Sequence, residues 1–144
     1  MARKYFIDKE KGVSYDLWEG VITLDECFNN VISIFADKDW PPHKYIHLAD
    51  LRNITVDLIL NETMNTTIEE FCTEHAEILK NLKVAILGYD VFTKGMALKD
   101  IIAQFPLKMV VFNSPDIACE WLGIDTMEAQ RRLGELRVQL RKGN

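Results

Sequence analysis

Apolar and polar residues alternate from Lys4 to Asp8, and again from Val13 to Glu19, where Tyr15 and Leu17 stand against Ser14 and Asp16. That period of two predicts a pair of half-buried strands. The Lys9-Glu10-Lys11-Gly12 link between them suits an antiparallel hairpin, and Gly20 is expected to end the second strand. The period then lengthens. Thr23-Leu24-Asp25-Glu26 spells a capping box, in which the Thr hydroxyl and Glu carboxylate satisfy orphan helix N–H groups. Leu24, Cys27, Phe28, Val31, Ile32 and Phe35 follow at three- and four-residue spacing, predicting a helix from about Leu24 to Ala36. Asp39-Trp40-Pro41-Pro42-His43 cannot extend it, because each proline removes a donor and restricts the residue before it.

A strand is predicted over Tyr45–Leu51, stopping on the polar tip Asp50-Leu51-Arg52-Asn53. Ile54–Met64 is apolar enough to pack but has no clean period. Thr67-Ile68-Glu69-Glu70 reads as a second capping box, and Ile68, Phe71, Cys72, His75, Ile78, Leu79 and Leu82 draw one helix face. Lys83–Tyr89 reads as a short buried strand, Thr93–Phe105 as a helix ended by Pro106, and Lys108–Phe112 as the last strand. Ser114-Pro115-Asp116 opens the next helix with a Ser cap, a first-position proline and an acid in the first turn. Gly123 is placed to end it. Asp125 caps a final helix on which Ala129, Leu133, Leu136 and Leu140 recur at spacings of four and three. This stripe packs on its own domain or serves as a dimerising or partner-binding face; two to three heptads are too few for a free coiled coil.

Strands alternating with helices imply right-handed crossovers and a largely parallel sheet, with the opening hairpin supplying an antiparallel edge. The expectation is one α/β domain over residues 1–144, with 125–144 an amphipathic C-terminal helix. No Gly-x-Gly-x-x-Gly follows a strand and no Walker sequence occurs, so neither a dinucleotide fold nor a P-loop is supported.

Composition narrows the picture. The chain is 144 residues long, with 48% hydrophobic and 27% charged residues and a formal charge of −5. That charge disfavours nonspecific attraction to nucleic acid or an anionic membrane, although Asp125–Asn144 carries five basic against three acidic residues. Runs such as Val84-Ala85-Ile86-Leu87 are too short to span a bilayer, and Met1-Ala2-Arg3-Lys4 leads into a strand pattern instead of a signal-peptide core. A cytoplasmic protein is expected. Cys27, Cys72 and Cys119 are odd in number, widely spaced and set in helical patterns, which points to core cysteines and not a disulfide framework.

In open α/β sheets, ligands collect outside the carboxyl ends of parallel strands. Here those ends supply Glu19 and Gly20, then Asp50, Arg52 and Asn53, then Tyr89 and Asp90, and last Asn113 and Ser114. Asp50, Arg52 and Asp90 could bind an anion or move a proton, but a strand-end Asp more often caps a turn or pairs with a neighbouring Arg. His43, His47 and Asp50 follow no zinc spacing, and Cys72 with His75 lacks a second ligand pair, so neither a metal nor another cofactor is expected. No Gly-x-Ser-x-Gly elbow supports a Ser nucleophile. A receiver-type phosphoacceptor domain shares the rhythm but needs an acidic pair and a Lys where Glu19-Gly20 and Asn113-Ser114 stand.

From Tyr5 to Leu122 the chain resembles the STAS, or SpoIIAA-like, domains, in particular their stand-alone bacterial members. The likeness rests on Leu17-Trp18-Glu19-Gly20 before a helix at Thr23, Asp39-Trp40-Pro41-Pro42 before a strand ending Asp50-Leu51-Arg52, and Val84-Ala85-Ile86-Leu87 with Val110-Val111-Phe112. The resemblance implies a superhelix of βα turns: a mostly parallel five-stranded sheet, strands in near-sequential order, helices mainly on one face. It also implies a regulatory or protein-interaction domain more than an enzyme. Members that antagonise anti-sigma factors carry a phosphorylated Asp-Ser-Ser-Gly-like turn where this chain has Asp57-Leu58-Ile59-Leu60-Asn61. With no hydroxyl there, Thr66 or Thr67 at the following helix start is the substitute position for a phosphate. The other functional expectation is a small-molecule ligand, a lipophilic one among the candidates, held in a cavity roofed by residues 54–64 and 93–105. A protein partner is expected, and self-association through the final helix is the corresponding oligomeric expectation.

Overall fold

The computed structural model describes residues 1–57, 63–88 and 106–142. Strands β1 (Ala2–Asp8) and β2 (Val13–Thr23) form the hairpin, followed by helix α1 (Leu24–Phe35) and β3 (Ile46–Asp57). Then come α2 (Thr63–Glu74), α3 (Ala76–Asn81), β4 (Lys83–Leu87), β5 (Lys108–Phe112), α4 (Pro115–Leu122) and α5 (Thr126–Arg141). The five strands lie in the order β1-β2-β3-β4-β5. β1 is antiparallel to β2, and β2 through β5 are parallel.

Side chains alternate across the sheet, so each strand feeds two cores. On one face, Tyr15 and Leu17 of β2, Leu48 of β3 and Leu87 of β4 pack beneath Cys119 of α4 and Leu133 and Leu136 of α5. The stripe of the final helix is therefore spent on its own domain. On the other face, Ala49, Val84 and Ile86 pack with Ile34 of α1, Trp40 and Leu82. The Phe35 ring of α1 meets the Phe71 ring of α2 edge-on at 4.9 Å. Helices thus cover both faces among the described residues, where the resemblance implied one main face.

Three boundaries differ from expectation. Gly20 does not end β2: at φ 99° it pairs with Ile54, and the ladder runs on to Thr23 and Asp57. The β2–β3 register shifts between Leu17 and Glu19 just before it. An isolated glycine there belongs to a bulge and not a stop. β3 likewise passes straight through Asp50-Leu51-Arg52-Asn53, so no tip exists there. Among the described residues, the last residues of both strands form a two-stranded extension past Leu87, where β4 ends. Finally, α2 starts at Thr63, ahead of the expected cap at Thr67, and a break at His75 separates it from α3.

Local chemistry explains the boundaries that hold. The Thr23 hydroxyl accepts from the Glu26 N–H at 3.2 Å, and the Asp125 carboxylate accepts from the Glu128 N–H at 2.9 Å. Gly123 closes α4 at φ 74°, and the Ile124 N–H reaches back to the Cys119 carbonyl at 3.0 Å. Replacing Gly123 by Ala meets open space, so only the left-handed backbone is penalised. A Cβ at Gly12, also left-handed at φ 73°, would lie 2.6 Å from the His43 ring. In urea unfolding, Gly123→Ala is expected to cost about 1 kcal/mol, and Gly12→Ala more.

Candidate functional site

Asp50 lies opposite Leu17 of β2 and Leu87 of β4, in the middle of the sheet, and is 1% exposed. An unpaired carboxylate there would cost several kcal/mol, so the fold has to bring cations to it. The register shift supplies the first. Leu17 pairs with Asp50 but Glu19 pairs with Asn53, leaving Leu51 and Arg52 together against Trp18. This bulge turns Arg52 back on Asp50: its backbone N–H donates at 3.1 Å, and its Nε and Nη2 donate to the two carboxylate oxygens at 2.9 and 2.8 Å. The second cation comes from α5. Arg137 Nη2 donates to Asp50 at 3.0 Å, while its Nε donates to Glu19 at 3.4 Å.

The result is a neutral set of two carboxylates and two guanidiniums at the junction of β2, β3 and α5. Burial pushes the Asp50 carboxyl up, but the hydrogen bonds from Arg52 and the charges of Arg52 and Arg137 outweigh it, holding the group below its usual range. Asp50 is therefore ionised at neutral pH and saturated with donors. It anchors the guanidiniums and is not free to shuttle protons. Water reaches the cluster through the cations, since the Arg52 and Arg137 side chains are 23% and 24% exposed.

Of the residues expected at this edge, Asp50, Arg52 and Glu19 meet, and exposed Asn53 stands next in line on the ladder. Asn113 and Ser114 follow β5, which β4 separates from β3: Leu87 pairs with Asp50 on one side and Phe112 on the other. Ser114 occupies the cap position of α4 without a side-chain capping hydrogen bond. Tyr89 and Asp90 lie outside the described residues, as does the helix expected over 93–105 with most of the cavity roof. Thr66 and Thr67 are exposed, but within the first two turns of α2 and not ahead of it. The helix-end field that would favour a phosphate fades over that distance. His47 and Asp50 are three residues apart on one strand and so point to opposite faces. Among the described residues no group of three or more His, Cys, Asp or Glu could hold a metal ion.

A second buried carboxylate, Asp16 of β2, sits beneath α1. Arg3 of β1 grips it with Nε at 2.9 Å and Nη2 at 2.7 Å, and donates from Nη1 to the Asn30 carbonyl of α1 at 2.6 Å. His47 places Nε2 3.4 Å from Asp16 and Nδ1 2.6 Å from the Ser14 hydroxyl. Burial again works against ionisation and loses to Arg3 and His47, so Asp16 is held low. The set Ser14, His47, Asp16 has the order of a nucleophilic triad, yet Ser14 is 0% exposed and no reactant reaches it. The cysteines carry no nucleophile either: burial pushes the Cys27 thiol up to about 11, and Cys72 and Cys119 rise for the same reason.

Period-two alternation assigned Asp16 to the polar side of a half-buried strand, where α1 in fact covers it. Arg137 was also missed. Its one signal was position: it follows buried Leu136 and lies four residues after buried Leu133, at the rim of the apolar stripe.

A five-stranded sheet of this order, flanked by helices on both sides, is a SpoIIAA-like α/β fold. The structure is similar to that of an uncharacterized DUF3478-family protein with a SpoIIAA-like fold from Shewanella loihica PV-4: TM-score 0.51, 16% identity, covering 84% of this chain and 94% of that one. No protein-family sequence model matches the chain, and no curated protein matches it by sequence. No helix among the described residues is long and apolar enough to cross a membrane.

Asp50→Asn leaves two guanidiniums facing a neutral amide, and breaking such a buried pair is expected to cost about 3 kcal/mol near neutral pH. The pH dependence has a fixed sign. Because the folded pKa lies below the ordinary 3.8, the contribution is complete above that value and drains away as pH falls through the folded pKa. Urea midpoints of the two proteins should therefore converge as the pH is lowered beneath about 4. A gap that stays constant down the titration would show that Asp50 is not held as a low-pKa carboxylate.

Proposed function

We propose that the chain is a non-enzymatic regulatory or protein-interaction domain of the STAS-like type, docking a protein partner at the Asp50–Arg52–Arg137–Glu19 junction. The observation that carries this reading is the saturation of Asp50. Among the described residues every strong donor around it is engaged, which gives a rigid surface of partly exposed guanidiniums and no group poised to exchange protons. Rigid, pre-paired charges cost little to order on binding and give a partner a defined pattern of hydrogen bonds to read. The β2–β3 extension lies next to the junction and supplies Asn53, Thr55 and Val21 as exposed side chains, Val21 being 61% exposed.

The test uses affinity capture from native cells with quantitative mass spectrometry, comparing the natural chain with Asn53→Arg and Thr55→Arg. Both positions are exposed, so the fold is expected to survive. A true partner is recovered by the natural chain and reduced about tenfold by either added charge. A recovered set that is identical for all three proteins, or empty for the natural chain, would refute docking at this face.

A further inference from the structure

Helix α5 carries a glycine that no contact among the described residues requires. Gly134 sits in the middle of the helix with ordinary helical backbone, where glycine is the poorest helix former after proline. One use of glycine in such a place is to let another backbone come close. Here the chain itself does not: a Cβ at Gly134 would meet nothing within 4 Å.

The flank of α5 around Gly134 has a character of its own. Gln130, Gly134, Arg137 and Arg141 follow one another at spacings of four, three and four, and Val138 stands one turn beyond Gly134, so the five share one side of the helix. Arg141 is exposed and has no ion pair among the described residues, and Val138 is 53% exposed. Arg137 gives Nε to Glu19 and Nη2 to Asp50, while its Nη1 has no partner among the described residues. Both acids of α5, Glu128 and Glu135, lie on the other flank. There Arg131 and Arg132 pair with them, and Arg132 reaches Asp8 of β1. The flank toward the Asp50 junction therefore takes cations and an apolar side chain from the helix, and no acid. A cation in the last turn also complements the helix dipole, which accounts for Arg141 but not for Gly134.

We propose, on the reading that a protein docks at the Asp50 junction, that this flank seats an acidic amphipathic helix of the partner, which crosses α5 at Gly134. Its apolar side rests on Val138, and its carboxylates meet Arg141 and the Nη1 edge of Arg137. Side-chain size at a crossing sets how closely two helices pack, and glycine allows the nearest approach. Charge selects the occupant. A second copy of the same flank would set Arg137 and Arg141 against their own kind. A nucleic acid needs a run of phosphate contacts that these few cations, on a chain of formal charge −5, do not offer. An acidic helix is repelled by most of the chain and attracted here.

The probe is a synthetic fluorescein-labelled helical peptide of Ala, Leu and Glu, titrated into the whole chain and followed by anisotropy and amide NMR shifts. It should bind and move the amides of Gly134, Val138 and Arg141. The same peptide with Lys for each Glu, and a single-stranded DNA, should not. Gly134→Ala should raise the urea midpoint, because the added methyl meets open space on a helix. Gly134→Leu and Arg141→Glu, both at positions open to solvent, should fold and bind the peptide about tenfold more weakly or worse. No binding at millimolar peptide overturns the proposal, as does binding that Gly134→Leu leaves unchanged, or DNA that moves the same amides as strongly. A urea midpoint lowered by Gly134→Ala also overturns it, since the glycine would then serve the fold. Cell-derived partners lost on Asn53→Arg but kept by Gly134→Leu and Arg141→Glu would refute the acidic helix on α5 and leave docking at the junction standing.

Discussion

Two carboxylates buried in adjacent central strands, Asp16 on one face and Asp50 on the other, set the terms for the rest of the molecule. Neither can stay ionised in the sheet alone, and each takes a cation from outside its own strand. Asp16 draws Arg3 from the first strand, and the same guanidinium takes the Asn30 carbonyl of α1, so one side chain ties β1, β2 and α1 together. The guanidinium also lies 5.0 Å from the Tyr5 and Trp18 ring centres, which fill the space around it. Asp50 draws Arg137, 87 positions later, and thereby fixes where the last helix crosses the sheet.

Buried ion pairs of this type add little net stability compared with apolar packing, but they penalise every arrangement that leaves a charge alone. A parallel ladder of valines and leucines has few features to define its register. Here the bulge at Leu51 and Arg52 and the cation from α5 define it, because slipping β3 against β2 would pull Asp50 away from its donors. The two clusters use the same chemistry with different access to water. The Arg3 and Asp16 side chains are 7% and 2% exposed, whereas the arginines at Asp50 are nearly a quarter exposed. The first is a structural tie; the second is a tie with a surface.

The parts of this design legible in the sequence were those written locally. The hairpin, the Thr23 and Asp125 caps, the Gly123 stop and the strand at Lys108–Phe112 depend on residues within a few positions of each other, and the structure has them where the pattern put them. Asp50 and Arg52 were visible as a pair for the same reason. Strand lengths were not, because Gly20 looks identical whether it stops a strand or sits beside a bulge. The helix starting at Thr63 was hidden by a poor apolar period, which Thr67-Ile68-Glu69-Glu70 then mimicked as a cap. Arg3, Asp16, His47 and Arg137 could not be grouped by spacing at all: their meeting follows from strand order and helix placement, which exist only once the chain is folded.

The central claim is that both buried carboxylates are held ionised by arginine. Carboxyl carbon-13 shifts of Asp16 and Asp50, followed by NMR as the folded protein is acidified, read this directly. Both should titrate below 3.8, each staying charged after the exposed carboxylates have begun to take up protons. A midpoint at or above that value for either residue would mean that burial, and not its arginine partners, governs the group, and the account of how the sheet and its helices are held in place would fail.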